Sequence, residues 1–439
     1  MPYQPPAPES LILWDIVQEH LDEAGFCFGA WRAALGSPLY TLAEVETGPE
    51  ERLRAHLDGL VIAGEPAVGR LLAPTLFDQE DAEPGAPQAA ALALALLGRA
   101  DLLQTALLSA HPEVRAATAD GLARTAPPEM DAWLLAQLAE TPPSALRGEL
   151  ALLGLRRRLP VGEACDLMAG GASEELRAGL IAARREAGAA RGPWDDLLVH
   201  PDPRVAEEAR RTGLCRGSEE AWRHTLAQAQ AGAPASLLDL ALFGEGRELD
   251  LLGALLDDAA LRVPALWVVG YSGRADLLPG LMELLDDADL VVARLSGEAV
   301  SLLTGLDLAE DPYNALPPAD PDGLPELDQD DLEADLVPAD DEDLPLPAAE
   351  AVRAWWTRTR ATSPSSGRVL TGEVWREARV LDLLERGPCH RRATLAWWLE
   401  VRSCGRMGLD TRAWATSQRL RLAELRRNAR EDLRARPWG

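Results

Sequence analysis

The chain contains no lysine; all 43 of its basic residues are arginine. A phosphate-binding G-x-x-x-x-G-K-[ST] loop is thereby excluded, because that loop needs its lysine. Isoleucine is nearly absent, with four copies at 12, 16, 62 and 181, and aromatic residues make up only 5% of the chain. With β-branched residues so sparse and little period-two alternation, a strand-built fold is not expected. The five cysteines (27, 165, 215, 389 and 404) form no C-x-x-C pair. An odd number in a long chain fits free thiols in a reducing cytoplasm better than a disulfide framework. The longest apolar run, Ala89 to Leu97, falls far short of the roughly 20 residues that span a bilayer. The first 31 residues hold neither Lys nor Arg, so the positive start of a secretory signal is missing. No membrane association is expected.

What is present is ordinary in bulk and unusual in arrangement. The 439 residues are 47% hydrophobic, enough for a large core in about three domains or one repeat array. The net charge of −28 should repel nucleic acid and anionic lipid, although it leaves room for a local basic patch. Gly98-Arg99-Ala100-Asp101-Leu102-Leu103 recurs identically as Gly273-Arg274-Ala275-Asp276-Leu277-Leu278, with a looser copy at Gly246-Arg247-Glu248-Leu249. His111-Pro112-Glu113-Val114-Arg115 is echoed by His200-Pro201-Asp202-Pro203-Arg204-Val205.

Both markers sit where helices should start and stop. Leu102, Leu103, Ala106 and Leu107 lie on one helical face. Pro112 suits a first helical position, and Glu113 complements the positive helix end. His111 and His200 are expected to be structural N-caps. Leu277, Leu278, Leu281, Leu284 and Leu285 form a second apolar face, with a turn and N-cap at Asp286–Asp289. A helix pair of this length cannot bury its faces alone and must stack on neighbours. The fold class expected is all-α: an α-solenoid of short HEAT-like helical hairpins, about seven units over residues 88–306, with irregular ones near 127–158 and 161–189.

Three other regions flank it. Residues 1–87 read as an N-terminal helical cap, with helices from Ser10 to about Leu35 and from about Pro49 to Ala63. Residues 307–350 carry 16 carboxylates, no basic residue and eight prolines, which predicts an extended acidic loop rather than a helix. Residues 351–439 reverse the sign, with 19 Arg against 9 acidic residues and seven of the 13 Trp. Four helices are expected there, at about 348–360, 373–386, 388–402 and 410–432.

No catalytic constellation appears. Gly244-Glu245-Gly246 does not extend to G-x-G-x-x-G, Gly270-Tyr271-Ser272-Gly273 is one residue short of G-x-S-x-G, and no H-E-x-x-H occurs. The six histidines lack metal-ligand spacing, so no metal, cofactor or catalytic residue is expected. Asp320, Asp322, Gly323, Glu326 and Asp328 hint at a calcium loop, but aligning Gly323 with the loop glycine puts Pro318 and Gln329 at ligand positions. The candidate partner-binding residues are the acids Asp340, Asp341, Glu342 and Asp343, expected to dock on Arg391 and Arg392 or on Arg426 and Arg427. To these are added Trp355, Trp356, Trp397 and Trp398. The Trp pairs would suit base stacking, yet neighbours on a helix point about 100° apart, so one of each pair should be core.

Glu50-Glu51-Arg52-Leu53-Arg54-Ala55-His56-Leu57-Asp58-Gly59-Leu60, followed by Ala63-Gly64, resembles the signature of an uncharacterised family of HEAT-repeat proteins from Gram-negative bacteria. Ser37-Pro38-Leu39-Tyr40-Thr41-Leu42, Thr304-Gly305-Leu306-Asp307-Leu308, Asp343-Leu344-Pro345 with Trp355-Trp356, and Arg368-Val369-Leu370-Thr371-Gly372 fit it too. The resemblance fades after about Arg402. Genes of that family often lie beside those for type VI secretion spike proteins. The resemblance therefore implies an accessory adaptor or effector chaperone, with secretion spike or toxin proteins as partners. An immunity protein that neutralises one toxin is the alternative. An enzyme on a HEAT scaffold, such as a DNA glycosylase or a bilin lyase, would instead need a basic groove with Trp and a buried Asp. The acidic array as a whole should draw a basic partner.

Overall fold

The computed structural model describes residues 12–79, 83–140, 142–185, 192–316, 341–360, 367–428 and 433. They are mostly helical, and successive helices pack on one another. Two compact units emerge. One draws on Met1–Trp222 and Leu381–Gly439, the other on Arg223–Val380. These boundaries do not follow the composition breaks at 87, 306 and 350.

In the first unit, the Trp14–Ala34 helix packs against both Glu51–Ala63 and Ala86–Leu96. Gly85, with φ of 88°, opens the latter, and a Cβ there would lie 2.3 Å from the Gly25 carbonyl oxygen. Only a residue without a side chain, tolerant of positive φ, allows that approach. Ala86–Leu96 in turn packs on Pro112–Leu122, and Ser144–Arg156 packs on Ser173–Arg185, which packs on Pro203–Arg216. The Pro203–Arg216 helix meets Cys389–Arg402, which is why the chain's end belongs to the same unit as its beginning.

A buried carboxylate fastens that end. A widened π turn at Glu46–Glu50 contains Pro49, which has no N–H to contribute to the helix. It delivers Glu50 into the core, fully buried. Glu50 accepts hydrogen bonds from Trp31 Nε1 at 3.1 Å and from the Ala415 amide at 2.8 Å, and pairs with Arg54 at 2.7 Å. Ala415 is the first residue of the Ala415–Asn428 helix, so the carboxylate satisfies an otherwise orphaned donor at a positive helix end. Trp414 stacks on Trp31 with centroids 4.7 Å apart. Nearby, the Ser37–Leu42 segment accepts two further helix-start amides, Cys389 N to the Tyr40 oxygen at 2.7 Å and His390 N to the Ser37 oxygen at 3.3 Å.

The second unit is organised around one apolar cluster that includes Leu266, Leu281, Leu295, Val300 and Leu303. Its helices Pro234–Phe243, Arg262–Val269 and Leu290–Thr304 are tied at their C-terminal ends by one strand-like segment. Arg368 donates to the Leu242 carbonyl at 2.6 Å, the Tyr271 carbonyl at 2.7 Å and the Ala241 carbonyl. Val369 N reaches the Gly273 oxygen at 2.9 Å, and Gly372 N the Leu303 oxygen at 3.0 Å. Val369–Leu370 then pairs antiparallel with Glu373–Val374, a hairpin whose two-residue strands are too short to show period-two alternation.

Several expectations need correction. The acidic segment is not extended throughout. Leu308 and Leu344 belong to the second unit's core, and Ala315 N to Leu346 O and Ala348 N to Tyr313 O, both 2.7 Å, hold its two ends together. Its middle, with the calcium-like residues Asp320, Asp322, Gly323, Glu326 and Asp328, lies outside the described residues. The two identical copies do build alike: Arg99 grips Asp101 through two nitrogens and Glu65 through a third, at 2.7 to 2.9 Å. Arg274 does the same with Asp276 and Asp250. The looser copy does not; Gly246 starts a tight 3-10 turn under a Glu245/Glu248 capping box. His111 holds a cap position without a side-chain cap bond, and Asp202 caps the other helix while His200 Nδ1 accepts from the Asp202 amide at 3.1 Å. A shorter carboxylate side chain reaches the Arg204 amide more directly than an imidazole two residues earlier.

Two expectations follow for stability. Arg368→Lys should lower the unfolding midpoint by about 1–3 kcal/mol in free-energy terms, because a point-like ammonium cannot serve three carbonyls at once; an unchanged midpoint would show that water serves them equally well. Burial raises the Glu50 pKa above the usual glutamate value, against the opposing Ala415 amide, Arg54 and Trp31. A carboxyl raised in the fold loses stability as pH climbs through the window above its unfolded pKa. Glu50→Gln should therefore gain on the wild type as pH rises from about 4 to 7, measured by urea unfolding across that range. A pH-independent difference would contradict the assignment.

Candidate functional site

In the first unit, helices Ser144–Arg156, Ser173–Arg185 and Cys389–Arg402 end close together. Each helix end leaves carbonyls without intrahelical partners and a partial negative charge. Arginines have gathered there. Arg185 donates to the Leu155 carbonyl at 2.9 Å, Arg158 to the Gly408 carbonyl at 3.3 Å, and Arg421 to the same Gly408 carbonyl at 3.1 Å. The turn after Arg402 is tight: Gly405 N bonds the Glu400 oxygen at 2.7 Å, with Cys404 and Gly405 both at positive φ. It packs so closely on the Arg184 carbonyl that no side chain fits at Gly405.

Between these ends lies a groove of about 880 Å³, continuous in its lining with a second depression of about 510 Å³. Nine arginines line the two (124, 156, 157, 158, 185, 406, 412, 421 and 427) against three carboxylates (Glu400, Asp410 and Glu424). The local sign is thus the reverse of the chain's. Some of these cations are already matched. Asp120 draws Arg124 and Arg156 at 3.1 Å and Arg32 at 3.2 Å. Burial alone would raise its pKa, but the three arginines hold it below the usual carboxylate range. Arg157 pairs with Asp131 at 2.5 Å and Arg421 with Glu424 at 2.7 Å.

Arg158 and Arg185 differ. Among the described residues neither has a carboxylate within ion-pair distance. Desolvation lowers the pKa of both; neighbouring arginines add to the effect, while Glu424 and Asp410 oppose it at Arg158 and Glu400 opposes it at Arg185. Arg158 also sits at φ of 61°, a left-handed backbone that L-residues adopt at a cost of about 1–2 kcal/mol. It closes the Ser144–Arg156 helix in a Schellman-type turn, with Leu159 N on the Gly154 oxygen at 2.8 Å. Each guanidinium has five donors and spends few of them on the protein. The remaining donors suit an anion with several acceptor oxygens.

The residues singled out in the sequence lie elsewhere. Asp340 is outside the described residues. Asp341 is buried and pairs with Arg294 at 3.3 Å, while Glu342 and Asp343 are exposed in the same turn. Arg391 is buried, and Arg392 is fully so, its Nε donating to the Leu384 carbonyl at 2.8 Å. Arg426 pairs with Asp382 at 2.9 Å and Glu385 at 2.6 Å; Arg427 lines the groove. The acids expected to seek these arginines thus include one already satisfied by Arg294 instead. Trp397 and Trp398 are both buried, under Arg211 at 4.0 Å and Arg402 at 5.3 Å. Their helix is enclosed on most sides, so neither neighbour is left facing out. Trp355 and Trp356, with centroids 6.3 Å apart, pack half-buried on the second unit's core.

The groove residues missed in the sequence left one legible trace, the run Arg156-Arg157-Arg158 before Pro160 in an otherwise acidic stretch. Arg158→Gly tests the local account, since it removes both the strained backbone and one unmatched cation. Its thermal midpoint should equal or exceed that of the wild type. Inorganic pyrophosphate should raise the midpoint of the wild type more than that of Arg158→Gly, and an equal rise would place the anion elsewhere. No family model matches this chain, and no curated protein or solved structure does either.

Proposed function

We propose that the chain is a non-catalytic binding scaffold, an α-solenoid of short HEAT-like hairpins whose arginine-lined groove receives an acidic segment of a protein partner. The observation that carries this reading is the groove itself, in which no carboxylate among the described residues lies within ion-pair distance of Arg158 or Arg185. Sequential helix-on-helix packing and the recurrent Arg99/Asp101 and Arg274/Asp276 clamps support the solenoid. The earlier expectation of a basic partner came from net charge; the groove's own charge favours the opposite sign there. The resemblance to the HEAT-repeat family encoded beside type VI secretion genes supports the finer reading, an accessory adaptor or effector chaperone for spike or toxin proteins.

A basic groove is also what a nucleic-acid enzyme would need, and Trp414, buried against Trp31, contributes to its lining. Base excision requires a carboxylate poised in a dry pocket beside the extruded base. In this groove Asp410 is exposed, Glu424 is paired with Arg421, and Glu400 faces Arg184 at 3.8 Å. None stands apart as a general base, which favours the scaffold.

Leu420 lies on the rim with 69% of its surface exposed. A photocrosslinking residue placed there in living cells should trap a secretion spike or toxin protein, with the adduct lost in Arg158→Gly/Arg185→Ala. In parallel, fluorescence anisotropy should give tighter binding to an acidic peptide than to a single-stranded oligonucleotide of equal charge. Adducts to nucleic acid, or preference for the oligonucleotide, would overturn the proposal.

A further inference from the structure

Helix Trp14–Ala34 carries His20, Glu23 and Cys27, spaced by three and four residues and therefore on one face. That face meets helix Glu51–Ala63, which brings up His56. The ligand-capable atoms of Glu23, Cys27 and His56 all lie within 4.8 Å of one another. His20 joins from the side, its Nδ1 3.2 Å from His56 Nδ1. Gly59, one turn from His56, makes room for it: a Cβ at Gly59 would fall 2.6 Å from the His20 ring. The sequence hid this cluster because its ligands come from two helices, so no short spacing announces it.

We propose that Glu23, Cys27 and His56 form a zinc-binding site, with His20 as the positioning partner of His56. The donor set is one sulfur, one imidazole nitrogen and one carboxylate oxygen, the mixture that suits Zn²⁺ over Mg²⁺ or Ca²⁺. A four-coordinate zinc, with water in the fourth position and bonds of about 2.0–2.3 Å, holds its ligands roughly 3.3–3.8 Å apart, so the three protein ligands need to close in by about 1–1.5 Å at most. Charge balances as well, since one thiolate and one carboxylate neutralise a dication. The His20 ring nitrogen 3.2 Å from His56 Nδ1 fixes the orientation of the His56 ring, as a second-shell partner does for a metal-ligating histidine. Glu23 and His56 are only partly buried, which gives an ion a way in. Burial raises the Cys27 thiol pKa, Arg52 opposes this and Glu23 adds to it; a bound dication would shift the balance towards thiolate. The site is independent of the arginine groove.

The test uses the full chain, stripped with a chelator and titrated with Co²⁺. One equivalent should produce a thiolate-to-cobalt charge-transfer band with the visible bands of a four-coordinate ion, and Zn²⁺ should displace it. Cys27→Ser should abolish the charge-transfer band, and Glu23→Gln and His56→Gln should weaken binding. His20→Gln should weaken it about 10-fold or more while leaving the band position unchanged, as befits a residue that does not touch the ion. Metal-free variants should keep the wild-type circular dichroism. If Cys27→Ser does not fold, alkylation of Cys27 in the wild type supplies the readout and should slow when Zn²⁺ is present. No charge-transfer band in the wild type, the same band in a folded Cys27→Ser, or equal alkylation with and without Zn²⁺ would overturn the site.

Discussion

Carbonyl oxygens at helix ends are the constraint on which this structure turns. A chain of short helices multiplies ends, and every C-terminal end leaves up to four carbonyls unsatisfied. With lysine absent, arginine meets them. Arg157 reaches the Leu122 carbonyl at 2.7 Å, Arg353 the Met282 carbonyl at 2.8 Å, Arg392 the Leu384 carbonyl at 2.8 Å, and Arg368 three carbonyls at once. A guanidinium suits this role because its flat fork can bridge two acceptors from different helices, whereas an ammonium acts as a single point. The same donors then reach carboxylates on the next helix, as Arg157 does with Asp131 and Arg353 with Asp286. Helix termination and helix-to-helix attachment thus become one interaction.

The groove follows from that habit. Where three helix ends converge in the first unit, the arginines that serve them converge too, and their carboxylate partners do not keep pace. Asp120 absorbs the charge of three arginines, but Arg158 and Arg185 retain theirs. On the proposed reading, an acidic ligand arriving in the groove would draw on the same donors that cap the helix ends.

Much of this was legible in advance, and the limits have physical causes. The helix expected over Ser10–Leu35 runs Trp14–Ala34, and that expected over 388–402 runs Cys389–Arg402. Amphipathic periodicity and proline breaks are local, so a sequence records them well. The hairpin at Val369–Val374 was missed because its two-residue strands are too short to show alternation; it is held by hydrogen bonds to distant helix ends instead. The ion-pair partners were harder still. Nothing local distinguishes Arg294 from Arg391 as the partner of Asp341, because charge complementarity is satisfied by any arginine the fold brings near. The groove and the His20–Cys27–His56 cluster share this cause, since each is assembled from elements whose juxtaposition the chain does not spell out locally.

Net charge and local charge act over different distances. At about 0.15 M salt the Debye length is about 8 Å, shorter than the span of a domain this size. A ligand inside the groove therefore feels mainly the nine arginines around it, while the surplus of acids elsewhere governs only its approach. The overall −28 weakens nonspecific attraction to polyanions, and the groove restores attraction at one place. On the proposed reading, selectivity for an acidic partner is a short-range matter: only a ligand whose shape brings its oxygens to Arg158 and Arg185 gains their attraction.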